Sequence, residues 1–488
     1  MRRTGGNRIA LGRATAAALA ILIAGRNAAA WAGAGTSAAP APSVSDLQSE
    51  VQQLQQEVQE LKSQMGAVKT AQTVAAPAAN AKATTIGQQV GSIQSDLNDI
   101  KTNLSTNLGV HIHGLVDASY EYNFNQPKTA PPGSPTGRVN QLRVFDLDAN
   151  SFDLQQANIH LDKTADGGVG FVTDLNFGQV ANVLSAATHY SNAFSIGNQN
   201  MDLTQAYLTY TLPVGSGVNF SLGRFVTLLG EEIIPTWNSQ DFNISRDFIF
   251  GYAIPFTNTG LMAQYSFNNY VGASLSVNNG WDDVSDNNDG KTVMGQISLN
   301  SGSLMSENQS LAFVLNGIWG NENAGHGNTH RWVIDPILTY HTFIPGLQLI
   351  DEFVYGEDDG TDMVTPLPVS QKGAPSTPFL VTNPTWTGNA GYIVYDYTNN
   401  LEFALRGEYF RDANGARTGL RQTLGEITGT INYKVPAVTG LLARLEYRHD
   451  ESSAKPFFTN AGINPLTGVP YQTIAGQNTV MGDVVYSF

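Results

Sequence analysis

The sequence contains no cysteine, which removes disulfide frameworks, thiolate metal sites and cysteine nucleophiles from consideration. Basic residues are scarce as well: 26 lysines and arginines stand against 41 aspartates and glutamates. Such a balance makes a nucleic-acid backbone a poor partner. No GxSxG, phosphate-cradling loop or dinucleotide fingerprint leading into a helix occurs. The reading is therefore non-enzymatic, with no cofactor and no metal. Past the N-terminal segment, no apolar run approaches the ~20 residues that a membrane-spanning helix needs. What remains is still rich enough to fold, with 41% hydrophobic and 9% aromatic residues.

The first residues read as an export signal, expected over 1–32. "MRRTGGNRIALGR" is a positive n-region, "ATAAALAILIAG" an apolar core and "AWA" a small-x-small cleavage site near Ala32. Removing it takes away five basic residues and leaves 21 against 41 acidic ones. The alternative, a permanent anchor, is disfavoured by the shortness of the run.

Residues 33–108 are expected to be a periplasmic coiled-coil and linker region. Leu47, Val51, Leu54, Val58, Leu61 and Met65 recur at spacings of four and three, with valine at a and leucine at d. Ser45 and Gln48 suit a capping box. An Ala/Thr/Pro-rich linker follows, then a second seam of Ile86, Val90, Ile93, Leu97, Ile100 and Leu104. Its later leucine-at-a, isoleucine-at-d positions favour more than two strands, so a homotrimer is expected. A single amphipathic helix folding back on the body is the other reading of these heptads.

From residue 109 to 488 the apolar period changes to two, and about sixteen strand candidates succeed one another. Connections alternate between short ("TADGG", "PVGSG", "FIPG", "TNN") and long ("GEDDGTDMVTPLPVSQKGAPSTP"). That alternation belongs to an up-and-down antiparallel β-barrel in an outer membrane, whose periplasmic turns are tight and whose outward loops are free to grow. Hydrocarbon tolerates no unpaired strand edge, so the sheet must close. The expected fold is thus all-β, a transmembrane barrel preceded by an α-helical coiled-coil segment.

Alternation assigns the two faces of each strand. On the last one, Val480, Gly482, Val484, Tyr486 and Phe488 should meet lipid, and Thr479, Met481, Asp483 and Ser487 the interior. On the first, Asp117, Glu121 and Asn123 should point inward, opposite Val116, Tyr120 and Tyr122. Glu402, Arg406 and Glu408, then Glu426, then Arg444, Glu446 and Arg448 should line the same wall, because a lipid-facing charge near the midplane costs ~2–4 kcal/mol. A wet interior follows. Some middle strands, such as "RWVIDPILTYH", alternate poorly and cannot be oriented from sequence.

A cylinder of sixteen strands is too wide for wall side chains alone to fill. The long, aromatic segment "GEEIIPTWNSQDFNISRDFIFGYAIPF" is the candidate for folding inward, with Glu231, Glu232, Asp241 and Arg246 narrowing the lumen alongside Arg224. His111, His113 and His160 are one candidate metal site and Asp282, Asp283, Asp286 and Asp289 in "WDDVSDNNDG" another, but rim histidines and solvated loop acids are the plainer assignments.

The stretches "RVFDLDANSFDLQQANIHLDK", "GFVTDLNFG", "LTQAYLTY", "GRFVTLLGEE", "NISRDFIF" and "TGLMAQYSF" resemble the OmpL-like β-barrel porin family. The resemblance implies an outer-membrane porin of a Gram-negative bacterium, passing small hydrophilic solutes and ions by passive diffusion. A terminal Phe488 after Tyr486 and Val484 likewise resembles the signal read by the barrel-assembly machinery. Expected partners are outer-membrane lipid, that machinery and the solutes. A barrel tethered through its coiled coil, or a substrate-specific uptake channel, are the alternatives.

Overall fold

The computed structural model describes residues 109–488 apart from 129–137, 164–167, 188–199, 303–304, 306–308, 323–328, 365–377 and 464–469. The export signal and both heptad seams, Leu47, Val51, Leu54, Val58 and Leu61 included, lie outside the described residues.

Sixteen antiparallel strands close into one barrel. They are β1 (His111–Asn123), β2 (Ser151–Lys163), β3 (Val169–Phe177), β4 (Met201–Leu212), β5 (Val218–Val226), β6 (Thr257–Ser266), β7 (Val271–Asn278), β8 (Thr292–Asn300), β9 (Ser310–Asn321), β10 (His330–His341) and β11 (Leu347–Asp358), followed by β14 (Thr385–Thr398), β15 (Leu401–Asp412), β16 (Gln422–Lys434), β17 (Leu441–Ser452) and β20 (Gly476–Ser487). Each sequence candidate corresponds to one of them. The loops add two small hairpins, β12 (Thr361–Val364) with β13 (Phe379–Thr382) and β18 (Phe457–Phe458) with β19 (Thr473–Ile474), and a helix, α1 (Gln179–Ala187), none of which the periodicity announced.

Closure joins β1 to β20, with Leu115 opposite Ser487 and Asn123 opposite Thr479. The seam runs one pair further: Gly114 N–H donates to Phe488 O at 3.0 Å and Phe488 N–H to Gly114 O at 2.9 Å. Glycine is required there, because a Cβ on residue 114 would sit 2.5 Å from Asn158 O and 2.7 Å from the Phe488 ring. With every edge paired, the backbone polar groups of the wall are satisfied within the sheet, as hydrocarbon demands.

The strand faces follow the expected parity. On β15, Ala404, Arg406, Glu408, Phe410 and Asp412 are buried while Phe403, Leu405 and Tyr409 are exposed. The same inversion holds on β16, β17 and β20, where Ile427, Ile431, Tyr447 and Val484 face out and Thr428, Glu446, Arg448 and Asp483 face in.

The interior is not lined by polar residues alone. Protein fills much of it. An apolar cluster inside the barrel gathers Leu142, Phe145, Leu184, Phe225, Phe248, Phe250, Phe256, Trp386 and Phe410. The poorly alternating middle strands contribute to it: Met294, Ile318, Val333, Ile337, Ile350 and Val354 point inward and are buried. These strands carry apolar residues on both faces because one meets lipid and the other meets a protein segment held in the lumen.

Candidate functional site

That segment is 227–256, between β5 and β6. It crosses the barrel and is fastened to nearly every side of the wall. Gly230 N–H donates to Asp335 Oδ2 on β10 at 2.7 Å, a contact made at a φ of +94° that favours glycine. Farther on, Gln156 Nε2 of β2 donates to Pro235 O at 2.9 Å, and the Trp237 ring stacks on His113 of β1 at 3.8 Å. Asn243 Nδ2 then reaches Thr430 on β16 at 2.6 Å.

Two wall carboxylates form a double clasp. Glu446 on β17 accepts the backbone N–H groups of Ile244 at 2.6 Å and Ser245 at 3.0 Å, and Thr430 Oγ1 donates to it at 2.8 Å. Glu408 on β15 accepts Phe248 and Ile249 N–H at 2.7 and 2.8 Å. Successive amides turned to one side form an anion-binding concavity, and each carboxylate occupies one. The segment returns through a π-helical turn, Ile249–Ala253, whose Ala253 O accepts from Trp386 Nε1 at 3.2 Å. It ends where Phe256 and Thr257 N–H both donate to Asp282 Oδ1 at 2.9 Å.

Asp282 therefore corrects the assignment of the "WDDVSDNNDG" acids as solvated. Asp282 and Asp283 are buried, and Asp282 adopts a φ of +59° to close over the segment's end.

Most of the charged residues nominated from sequence meet here. Arg406 is ion-paired to Glu232 of the segment and, at 2.7 Å, to Glu426 of the neighbouring strand, and donates to Ser245 O at 2.8 Å. Arg448 pairs with Asp450 at 2.7 Å and lies over the Phe248 ring at 4.9 Å. Arg444 bonds Asp483 through Nε at 3.0 Å, lies 3.7 Å from Asp117, and donates to Asp241 O at 3.2 Å. Arg246 pairs with Asp241 at 2.6 Å within the segment. Glu402 accepts from Asn432 Nδ2 at 2.7 Å near the turn side of β15. Glu121 is buried on β1, and both its carboxylate oxygens are without a hydrogen-bond partner. Arg224 stands on β5 instead, paired with Asp202 at 3.2 Å and bonded to Thr257.

Sequence reasoning missed Arg143, from the β1–β2 connection, which bridges Asp146 and Asp450 inside the barrel. It also missed the polar work of β2, β3 and β4: Asn158, Gln156, Asn176, Asp174 and Gln205 form one buried polar network. The period-two placement of Gln156 and Asn158 in "LQQANIHL" and of Asp174 and Asn176 in "TDLNF" was the available signal.

Burial first, then the nearby Asp241, Asp335 and Asp247, pushes the Glu231 carboxyl up to about 7. Glu231, Glu232, Asp241, Gln240 and Tyr392 line a cavity of about 180 Å³. Burial likewise raises Asp241 above the usual carboxylate range against the opposing pull of Arg246. His160 is engaged by Asp174 at 2.9 Å and His111 by Asp162 at 3.2 Å. Among the described residues no three histidine, aspartate or glutamate side chains are arranged to hold a metal.

A closed barrel with outward apolar belt and inward charge admits membrane channels as a class. The family model for beta-barrel porin-2, OmpL-like, matches residues 109–488, the whole barrel. The chain belongs to this porin family. Membership places the porin in the outer membrane of a Gram-negative bacterium and makes it a channel protein. Solved structures similar to it include Pseudomonas putida OprB, with 11% identity over 80% of this chain and 97% of that one at a TM-score of 0.46. The outer membrane channel DcaP of Acinetobacter baumannii gives 11% over 78% and 97% at 0.45. An anion-selective porin from Comamonas acidovorans gives 9% over 78% and 99% at 0.43. These likenesses are too distant to bear on what this porin passes. No curated protein matches the sequence.

Proposed function

We propose that this porin is a narrow passive-diffusion channel for small hydrophilic solutes and ions, with a preference for cations set by the inward segment. The observation that carries the reading is the clasped segment 227–256: it occupies the lumen, and Arg406 and Arg448 behind it are both 0% exposed. Wide solutes are therefore expected to be excluded. Glu231 is partly buried at the cavity in the segment, and its carboxyl carries or loses its charge near neutral pH. Transport is driven by the solute gradient, with no covalent step and no cofactor.

The pore-lining roles of Asp117, Glu121, Glu402, Glu426 and Glu446 belong to this proposal, as does a residue 33–108 coiled coil that holds three copies together on the periplasmic side. Export through the 1–32 signal and insertion by the barrel-assembly machinery through Val484, Tyr486 and Phe488 complete it. Single-channel recording of the purified protein tests the reading: small, ohmic, cation-favouring steps are expected. Absence of conductance in protein whose barrel is intact would leave the tethered structural barrel as the function.

A further inference from the structure

Among the described residues, one charge on the outer wall stands at mid-depth. Asp351 of β11 is exposed on the outward face, in a row whose neighbours Leu349, Phe353, Leu338 and Ile393 are exposed apolar residues. It stands four residues from Leu347, which pairs with Tyr395, and four from Tyr355, so it sits midway between the aromatic residues near the two ends of the strand. Other outward charges on the described strands, such as Glu357, Arg411 and Glu451, stand one residue from a strand end, where water is near.

Asp351 does not stand alone. Asn389 on β14 donates through Nδ2 to Asp351 Oδ1 at 3.1 Å and to Glu352 O at 2.7 Å, and both side chains lie outward. Beside them the outer face is bare of side chains, a shallow notch in the wall. Gly391, opposite Asp351, has nothing within 4 Å of where a Cβ would be, and Gly407 lies directly opposite Gly391 on β15 with only Glu426 O at 3.9 Å. Gly429, one strand on, is equally open. The ladder itself falters nearby, because Pro336 of β10 breaks the pairing with β11 between Ile334–Tyr355 and Ile337–Glu352.

Acyl chains offer no hydrogen bond to a carboxylate and no reason for a hollow. Another protein surface offers both: donors for Asp351 and Asn389, and a side chain to enter the glycine notch, where backbones approach closely. We propose that the outward face of β11, β14 and β15, centred on Asp351, Asn389, Gly391 and Gly407, is a contact surface for a second copy of this chain within the membrane. A second copy is the favoured occupant because the heptads that end at Leu104 stand only a few residues before β1, so a coiled coil would hold copies side by side at high local concentration. This deepens the three-copy assignment above and names the face that mediates it.

The absence of cysteine makes the test clean. Spin labels are placed at Gly391→Cys and, as references, at Ala118→Cys on β1 and Leu222→Cys on β5, in proteoliposomes, and oxygen accessibility is measured. Native mass spectrometry gives the copy number of the unlabelled protein. The label at 391 should show less than half the accessibility of the more exposed reference, and Gly407→Trp should raise it and shift the assembly to single copies. Asp351→Leu, which removes the carboxylate without the bulk of a tryptophan, should weaken the assembly in the same direction if the tryptophan variant misfolds. A label at 391 as accessible as the more exposed reference, in protein that is still multimeric, overturns this face and leaves the oligomer standing. A wild-type protein that is a single copy overturns both, without touching the channel reading.

Discussion

Replacing Glu446 by glutamine isolates the clasp. The wild-type carboxylate accepts two backbone amides and one hydroxyl, all between 2.6 and 3.0 Å. Glutamine keeps the volume but has a single acceptor oxygen, and its NH₂ group would face an N–H donor of Ile244 or Ser245. One charge-assisted bond, worth roughly 1.5–3 kcal/mol, is lost outright, and the others weaken to neutral strength. The combined loss is about 3 kcal/mol against the inward position of the segment. At 1.4 kcal/mol per decade this raises the released population about 150-fold. Planar-bilayer recordings should then show frequent excursions to a larger conductance that the wild type rarely visits. Glu451→Gln, at the outer end of the same strand and facing outward, should leave the record unchanged. An E446Q trace with wild-type step size and open times, from protein that still migrates as a folded barrel, would refute the claim that this carboxylate holds the segment.

Three further outcomes are expected. Because the Glu231 carboxyl titrates near 7, it is charged above that pH and neutral below it, so the cation-to-anion permeability ratio should fall between pH 8 and pH 6; Glu231→Gln measured at pH 8 should reproduce the low-pH ratio, and a pH-independent ratio in the wild type would remove Glu231 from the filter. Trp386→Ala empties the centre of the inner cluster and removes the bond to Ala253 O, costing about 3–5 kcal/mol, to be read as a lower denaturant midpoint in detergent. Gly114→Val forces a side chain against Asn158 O and the Phe488 ring, and should reduce the yield of closed, heat-modifiable barrel on refolding, whereas an unchanged yield would deny the seam any role in closure.

Period-two alternation was enough to read the wall. It gave the sixteen strands, the inward parity of Asp117, Arg406, Glu426 and Arg448, and the alternation of turns with loops, because lipid on one side of a strand imposes its chemistry on every second residue regardless of what lies elsewhere. The aromatic segment after β5 was legible as the candidate to fold inward, since its length and apolar content exceed what a solvated loop needs. Its fastening was not. That Glu408 and Glu446 grip backbone amides more than 150 positions away in the chain is a matter of which strands stand opposite the segment.

The strands β8 to β11 show the same limit from the other side. Val333, Ile337, Ile350 and Val354 hid the inward face from sequence analysis because two apolar environments, lipid and the segment, press on one strand and erase the contrast that periodicity relies on. Asp351 reads as an ordinary polar position in "LQLIDEFVYG" until the register puts it outward at mid-depth beside Gly391 and Gly407. Sequence by itself determined that this chain makes a closed wall with an apolar outside, because each strand residue answers to its nearest solvent. Only the tertiary structure decided that the lumen is occupied and how its charges are paired, because those contacts join residues whose separation in the chain carries no local signal.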